Sequence, residues 1–181
     1  MGTIRRQTAR LRWARVSIPG ARYFLKVCTQ NRTPVFSLRE HASRSVETLF
    51  ALHDADDIEL LAATVMPDHV HMVFVLGSRL TVGQVMAKFK TLARGGDAWR
   101  WQQDGFEHRL RANEAAEDYG FYVFMNPYRA RLAPIAQPWP WWTCPDTEQF
   151  GFTQKLDRNG IPPEEWLDQV EETNSRIATG E

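Results

Sequence analysis

Residues 58–76 read IELLAATVM, then PD, then HVHMVFVL: two runs rich in aliphatic and β-branched residues, separated only by Pro67 and Asp68. So short a link leaves no room for a crossover, so the runs can pair only as an antiparallel hairpin. Strand side chains alternate between faces. The second run therefore sorts into His69, His71, Val73 and Val75 on one side and Val70, Met72, Phe74 and Leu76 on the other. The latter set is bulkier and continuous, and is expected to face packed helices. The two imidazoles then lie on the less covered face, about 7 Å apart by Cα. At that spacing both rings can converge on one ion, since metal–nitrogen distances are about 2.0–2.2 Å. On its own the pattern is generic: ordinary surface or core histidines are the plain alternative. A third ligand and a nucleophile are needed before chemistry follows.

The flanking segments supply the rest of a fold. ARYFLKVCT (21–29) alternates as a strand between Pro19-Gly20 and the Asn31–Pro34 turn. A helix is expected from Ser37 to about His53, with Ser37 as cap and Glu40 three residues on. Another is expected over 81–96, capped by Thr81 and stopped by Gly95-Gly96. A short strand follows at about 106–111. Asn113 then caps a further helix, which Pro127 should end or kink near Asn126. Beyond an irregular Pro- and Trp-rich stretch, a last helix is expected from Pro162-Pro163. Strand, helix, strand, strand, helix, strand is the α+β ferredoxin-like order: one antiparallel sheet with two helices on one face. The additional helix is expected near the other face.

Charge is divided rather than balanced. The net charge is zero, yet residues 1–32 carry eight basic residues (Arg5, Arg6, Arg10, Arg12, Arg15, Arg22, Lys26, Arg32) and no acid. Residues 146–181 carry nine acids against three bases. Such asymmetry is the footprint of a polyanion partner, with a basic leader and a solubilising tail as the bland alternative. No apolar run approaches the roughly 18 residues of a membrane helix, arginines interrupt any signal-peptide core, and Cys28 and Cys144 are too few for a disulfide framework. A cytoplasmic protein without a membrane partner is expected.

In the extra helix Tyr122 and Asn126 stand i, i+4, about 6 Å apart on one face; an amphipathic core tyrosine is the alternative reading of Tyr122. Taken in order, MPDHVHMVFVLG, KFKTLA, WQQDGFEHRLR and YVFMNPYRARL resemble the single-tyrosine HUH transposases, in particular the REP-associated tyrosine transposases. The resemblance spans about Tyr23 to Trp142. It implies three segments: a basic arm over 1–20, the transposase domain over 21–142, and an acidic, partly helical extension over 143–181. By resemblance, His69 and His71 match the pair that binds a divalent metal, Asn126 the third, polar ligand, and Tyr122 the nucleophile. Lys90 matches a lysine near the DNA; Lys88, Arg129 and Arg5, Arg6, Arg10, Arg12 and Arg15 are assigned to DNA with it. Glu107, His108 and Arg111 match a supporting strand. Arg131, Tyr128 and Gly105 depart from the family's glycine, valine and aromatic residue at those places.

The chemistry implied is nicking and rejoining of single-stranded DNA beside REP-like hairpins. Tyrosine would attack a phosphodiester to give a 5′-phosphotyrosine and a free 3′-hydroxyl. The cofactor implied is Mg²⁺ or Mn²⁺; nitrogen ligands favour Mn²⁺ and cellular abundance favours Mg²⁺. The partner implied is hairpin-bearing single-stranded DNA, and the chain is expected to act as a monomer or homodimer. Trp99 and Trp101 could stack on unpaired bases, or cover core. Two rival classes stay open: a catalytically silent hairpin-binding regulator, and a metal-dependent phosphodiesterase with a structural tyrosine.

Overall fold

A computed structural model describes residues 16–179. Strands β1 (Arg22–Thr29), β2 (Ile58–Met66), β3 (His69–Leu76), β4 (Trp101–Arg109) and β5 (Trp142–Thr143) form one antiparallel sheet ordered β4-β1-β3-β2-β5. Helices α1 (Arg39–Asp54) and α2 (Val82–Arg94) connect β1 to β2 and β3 to β4. This is the ferredoxin-like arrangement expected from the element order. Helices α3 (Ala116–Arg129) and α4 (Trp166–Arg176) follow it.

The hairpin pairs Met66 with His69 and Val65 with Val70, so the link is as tight as its two residues require. A bulge at Leu61, between the paired Leu60 and Ala62, turns Leu61 and Ala62 to the face opposite Leu60. On one face Leu25, Val27, Val70, Met72 and Phe74 pack with Leu49 and Leu52 of α1 and Val85 and Phe89 of α2, as expected. The other face is not open. Phe24, Leu61, Ala62 and Val73 are covered by α3, and α3 in turn by Phe150, Phe152, Trp166 and Val170 of the acidic C-terminal stretch. Gly120 makes this possible: a Cβ there would stand 2.8 Å from the Phe150 ring.

Several boundaries differ from the sequence reading. Thr81 forms the expected capping box with Gln84, but α1 and α3 begin after Leu38 and Ala115 with no side-chain cap, rather than at Ser37 and Asn113. Both helices are instead pinned by packing, which overrides weak local signals. Helix α3 runs through Pro127 to Arg129; the proline removes one intrahelical bond but burial on the sheet retains the last turn. Strand β4 is longer than expected because its start pairs with Thr29 across a bulge. Helix α4 starts at Trp166, not at the prolines.

Lys88 closes one end of the first core. Its ammonium lies 2.5 Å from the buried Asp57 carboxylate, which Arg79 also approaches at 3.1 Å. The Lys88 hydrogen bond outweighs burial and holds the Asp57 carboxyl below the usual carboxylate range. A depressed carboxyl stabilises the fold above its unfolded pKa and stops doing so as pH falls through its folded one. Asp57→Asn is therefore expected to cost about 1–2 kcal/mol at pH 7. Urea unfolding should show the gap from wild type closing below about pH 4.

Candidate metal and tyrosine site

The register carries the site. Lys26 and Cys28 of β1 pair with His71 and His69 of β3, and Thr64 of β2 pairs with His71 from the other side. Both imidazoles lie on the α3 face and are buried; His71 is fully so. Their Nε2 atoms face each other at 2.9 Å. Phe24 stacks on His71 with centroids 5.5 Å apart, and Tyr122 meets it edge-on at 5.7 Å. The rings and the phenol therefore converge within one chain.

Burial, with the repulsion that a protonated His69 would add and the charges of Lys26 and Arg129 nearby, holds the His71 pKa well below its ordinary value. Burial also lowers His69, against the pull of the Asp68 carboxylate. Both rings are thus neutral at pH 7, the state in which imidazole lends a lone pair. Asp68 is itself affected by burial, which would raise it, but its bonds to His69 and Arg32 prevail and hold it low.

On α3 the Arg129 side chain lies against the nucleophile candidate. The Arg129 guanidinium lies 5.3 Å from the Tyr122 ring centroid and donates to the Tyr122 hydroxyl at 3.2 Å and to Asn126 Oδ1 at 3.4 Å. Arg129, assigned to DNA from the sequence, thus joins Tyr122 to Asn126. Asn126 is buried, and its Nδ2 has no hydrogen-bond partner. Tyr119, one turn earlier, is a different kind of tyrosine. Burial and its bond to Glu114 push its hydroxyl up to about 12.

The remaining expected residues scatter. His108 stacks on Tyr119 and its Nε2 lies 2.9 Å from both Glu114 oxygens, while the Arg111 backbone amide donates to Glu114 at 2.6 Å. Glu107 lies instead beside α2, in a groove with Thr81, Met86 and Lys90. Lys90 donates to the carbonyl oxygens of Gln102, Gln103 and Asp104, and burial lowers its pKa. Trp99 and Trp101 pack on Phe36 and Phe89 and cover core rather than stand free. Arg5, Arg6, Arg10, Arg12 and Arg15 lie outside the described residues. Sequence reasoning missed Phe24, Asp68, Arg32 and Glu114. Only Asp68 carried a signal, by standing directly before His69.

Among the described residues no group of three or more His, Cys, Asp or Glu could hold an ion, so an ion would depend on the imidazole pair and a neutral ligand. Beside the pair a cleft of about 340 Å³ opens between Lys26, Cys28, Arg32, Gln102 and Phe106. No described helix is long and apolar enough to cross a membrane.

The family model described as "Transposase IS200 like" matches residues 18–94. The fold matches a REP-associated tyrosine transposase solved bound to a REP hairpin, with TM-score 0.63, 20% identity, and 86% of this chain and 90% of that one covered. A candidate transposase from Deinococcus radiodurans R1 is a weaker likeness, with TM-score 0.44, 17% identity, and 66% and 90% covered. No curated protein matches the sequence. Over residues 18–94 the chain is thus similar to the IS200-like transposases, the family its motifs resemble, and its fold is that of a REP-associated tyrosine transposase.

Glu114 gathers a ring nitrogen, a backbone amide and a hydroxyl at the start of the helix that bears Tyr122. Glu114→Ala is expected to destabilise the chain by about 1–3 kcal/mol, measured by urea unfolding.

Proposed function

We propose that this chain nicks and rejoins single-stranded DNA next to a REP-like hairpin, with Tyr122 as nucleophile and a divalent ion held by His69, His71 and Asn126. The observation that carries this reading is the contact of Tyr122 with His71 in the same chain, beside two Nε2 atoms 2.9 Å apart. His69, His71 and Asn126 are the residues that would hold the ion, each through a neutral donor. Two imidazoles and an amide oxygen make a neutral donor set that suits a divalent ion such as Mn²⁺ or Mg²⁺. Asn126, one turn from Tyr122, would supply the neutral oxygen, leaving positions for phosphate.

In the reaction the Tyr122 oxygen bonds to phosphorus and gives up its proton, the bond from phosphorus to the 3′ oxygen breaks, and that leaving oxygen takes up one proton to become a 3′-hydroxyl, so no net proton is consumed. Phosphotyrosine conserves the bond energy, so a second 3′-hydroxyl can reverse the step without ATP. A bound Mg²⁺ or Mn²⁺ would polarise the non-bridging phosphate oxygens. Phe24 and Tyr122 hold His71 in place, and Arg129 orients the phenol. The cleft beside Lys26 and Arg32 gives the strand a route towards the paired rings. Work in the cytoplasm as a monomer or homodimer fits this reading, and the cis contact of Tyr122 requires no second copy.

Hairpin oligonucleotides taken from palindromes flanking the gene test it. With Mn²⁺ they should give a covalent adduct visible on a denaturing gel, lost in Tyr122→Phe and kept in Tyr119→Phe. Tight binding without adduct would instead indicate a hairpin-binding regulator. Small-phosphodiester turnover that survives Tyr122→Phe would indicate a hydrolase.

A further inference from the structure

The two imidazoles are held differently at their far nitrogens. His71 Nδ1 is buried with no hydrogen-bond partner. His69 Nδ1 lies 2.5 Å from Asp68 Oδ1. The other Asp68 oxygen receives Arg32 Nε at 2.8 Å, and Arg32 Nη1 reaches Cys28 Sγ at 2.8 Å. Main-chain bonds fix the same turn: the Thr29 amide and hydroxyl both donate to the Asp68 carbonyl, at 2.9 and 3.0 Å, and the Phe36 amide donates to the Pro67 carbonyl at 2.9 Å. Asn31 and Arg32 both take left-handed backbone, φ 56° and 55°. Left-handed backbone is unfavourable for a non-glycine residue and persists where the surroundings force it. What the strained turn delivers is the Arg32 side chain, laid between Cys28 and Asp68.

We propose that Asp68, held in turn by Arg32, is the positioning residue that fixes His69 in one tautomer and aims its Nε2 lone pair at the ion. The inference rests on the metal reading above. A carboxylate only accepts, so its contact obliges His69 Nδ1 to carry the ring proton and leaves Nε2 bare. The same contact makes the ring a more basic ligand and stops it turning about its Cβ–Cγ bond. In the metal-free chain the 2.9 Å contact between the rings then has one donor, His71 Nε2–H, and one acceptor, His69 Nε2. Without Asp68, His69 is free to carry its proton on Nε2, the atom the ion needs. Arg32 acts one bond further out, keeping the carboxylate turned towards the ring.

Nitrogen-15 NMR of the metal-free protein reads the tautomer, and isothermal titration with Mn²⁺ reads the affinity. Wild type should show His69 protonated at Nδ1, and Asp68→Ala should shift it towards the Nε2–H form. Asp68→Ala should weaken Mn²⁺ binding about 10–100-fold. Arg32→Gln should lose a smaller part of that affinity. Asp68→Asn, which keeps an acceptor oxygen, should retain the wild-type tautomer and restore most of the binding, which a purely structural turn residue would not do. Thermal unfolding identifies any variant that fails to fold, and Arg32→Gln and Asp68→Asn then carry the comparison. Unchanged tautomer and affinity in Asp68→Ala would overturn the role of the pair while leaving the metal site standing. A wild-type chain that takes up no Mn²⁺ would overturn the metal reading and the inference with it.

Discussion

The tight link at Pro67-Asp68 sets the register of β2 against β3, and that register decides which way the imidazoles point. A slip of one residue would turn His69 and His71 into the aliphatic core under α1 and α2, and Val70 and Met72 into the site. The slip is opposed from both sides of β3. On one face Val70, Met72 and Phe74 fill the space against Val85 and Phe89. On the other Phe24 stacks on His71. Thr29 ties the turn to the end of β1 through the Asp68 carbonyl. Hydrophobic packing thus sets the direction of the rings, and polar bonds at the turn set the angle of one of them.

The second core makes the phenol part of the same construction. Helix α3 would be a lone amphipathic helix against a sheet if Phe150, Phe152 and Trp166 did not close over its outer face. Phe150 can approach because residue 120 is glycine. The acidic stretch therefore contributes apolar residues to the helix that carries Tyr122, while its charges stay at the surface. Arg129 completes the arrangement from within the helix by joining the hydroxyl of Tyr122 to the amide of Asn126.

Much of this was legible in the sequence, for reasons that can be stated. The hairpin followed from a link too short for any other connection, and the histidine face from the alternation of strand side chains. Thr81 worked as a cap because its Gln84 partner is local. What escaped was non-local. Ser37 and Asn113 have cap chemistry, but packing against the sheet places the first turns elsewhere. Lys88 and Lys90 are assigned to DNA from the sequence, and in the fold Asp57 and the carbonyls of 102–104 bond to their ammonium groups. No local pattern announces that pairing. The stack of Phe24 on His71 depends on the β1–β3 register, which periodicity does not supply. The tyrosine was singled out through resemblance; its edge-on contact with His71 is a feature of tertiary structure alone.

The central claim is that paired imidazoles of one strand grip an ion within reach of a phenol from α3. Crystals of the full chain soaked in Mn²⁺ and measured at the manganese absorption edge test it most directly. The account predicts one anomalous peak between the Nε2 atoms of His69 and His71, about 2.2 Å from each, with Tyr122 of the same chain beside it. A peak elsewhere, or none between the rings in crystals that have taken up manganese, would contradict it.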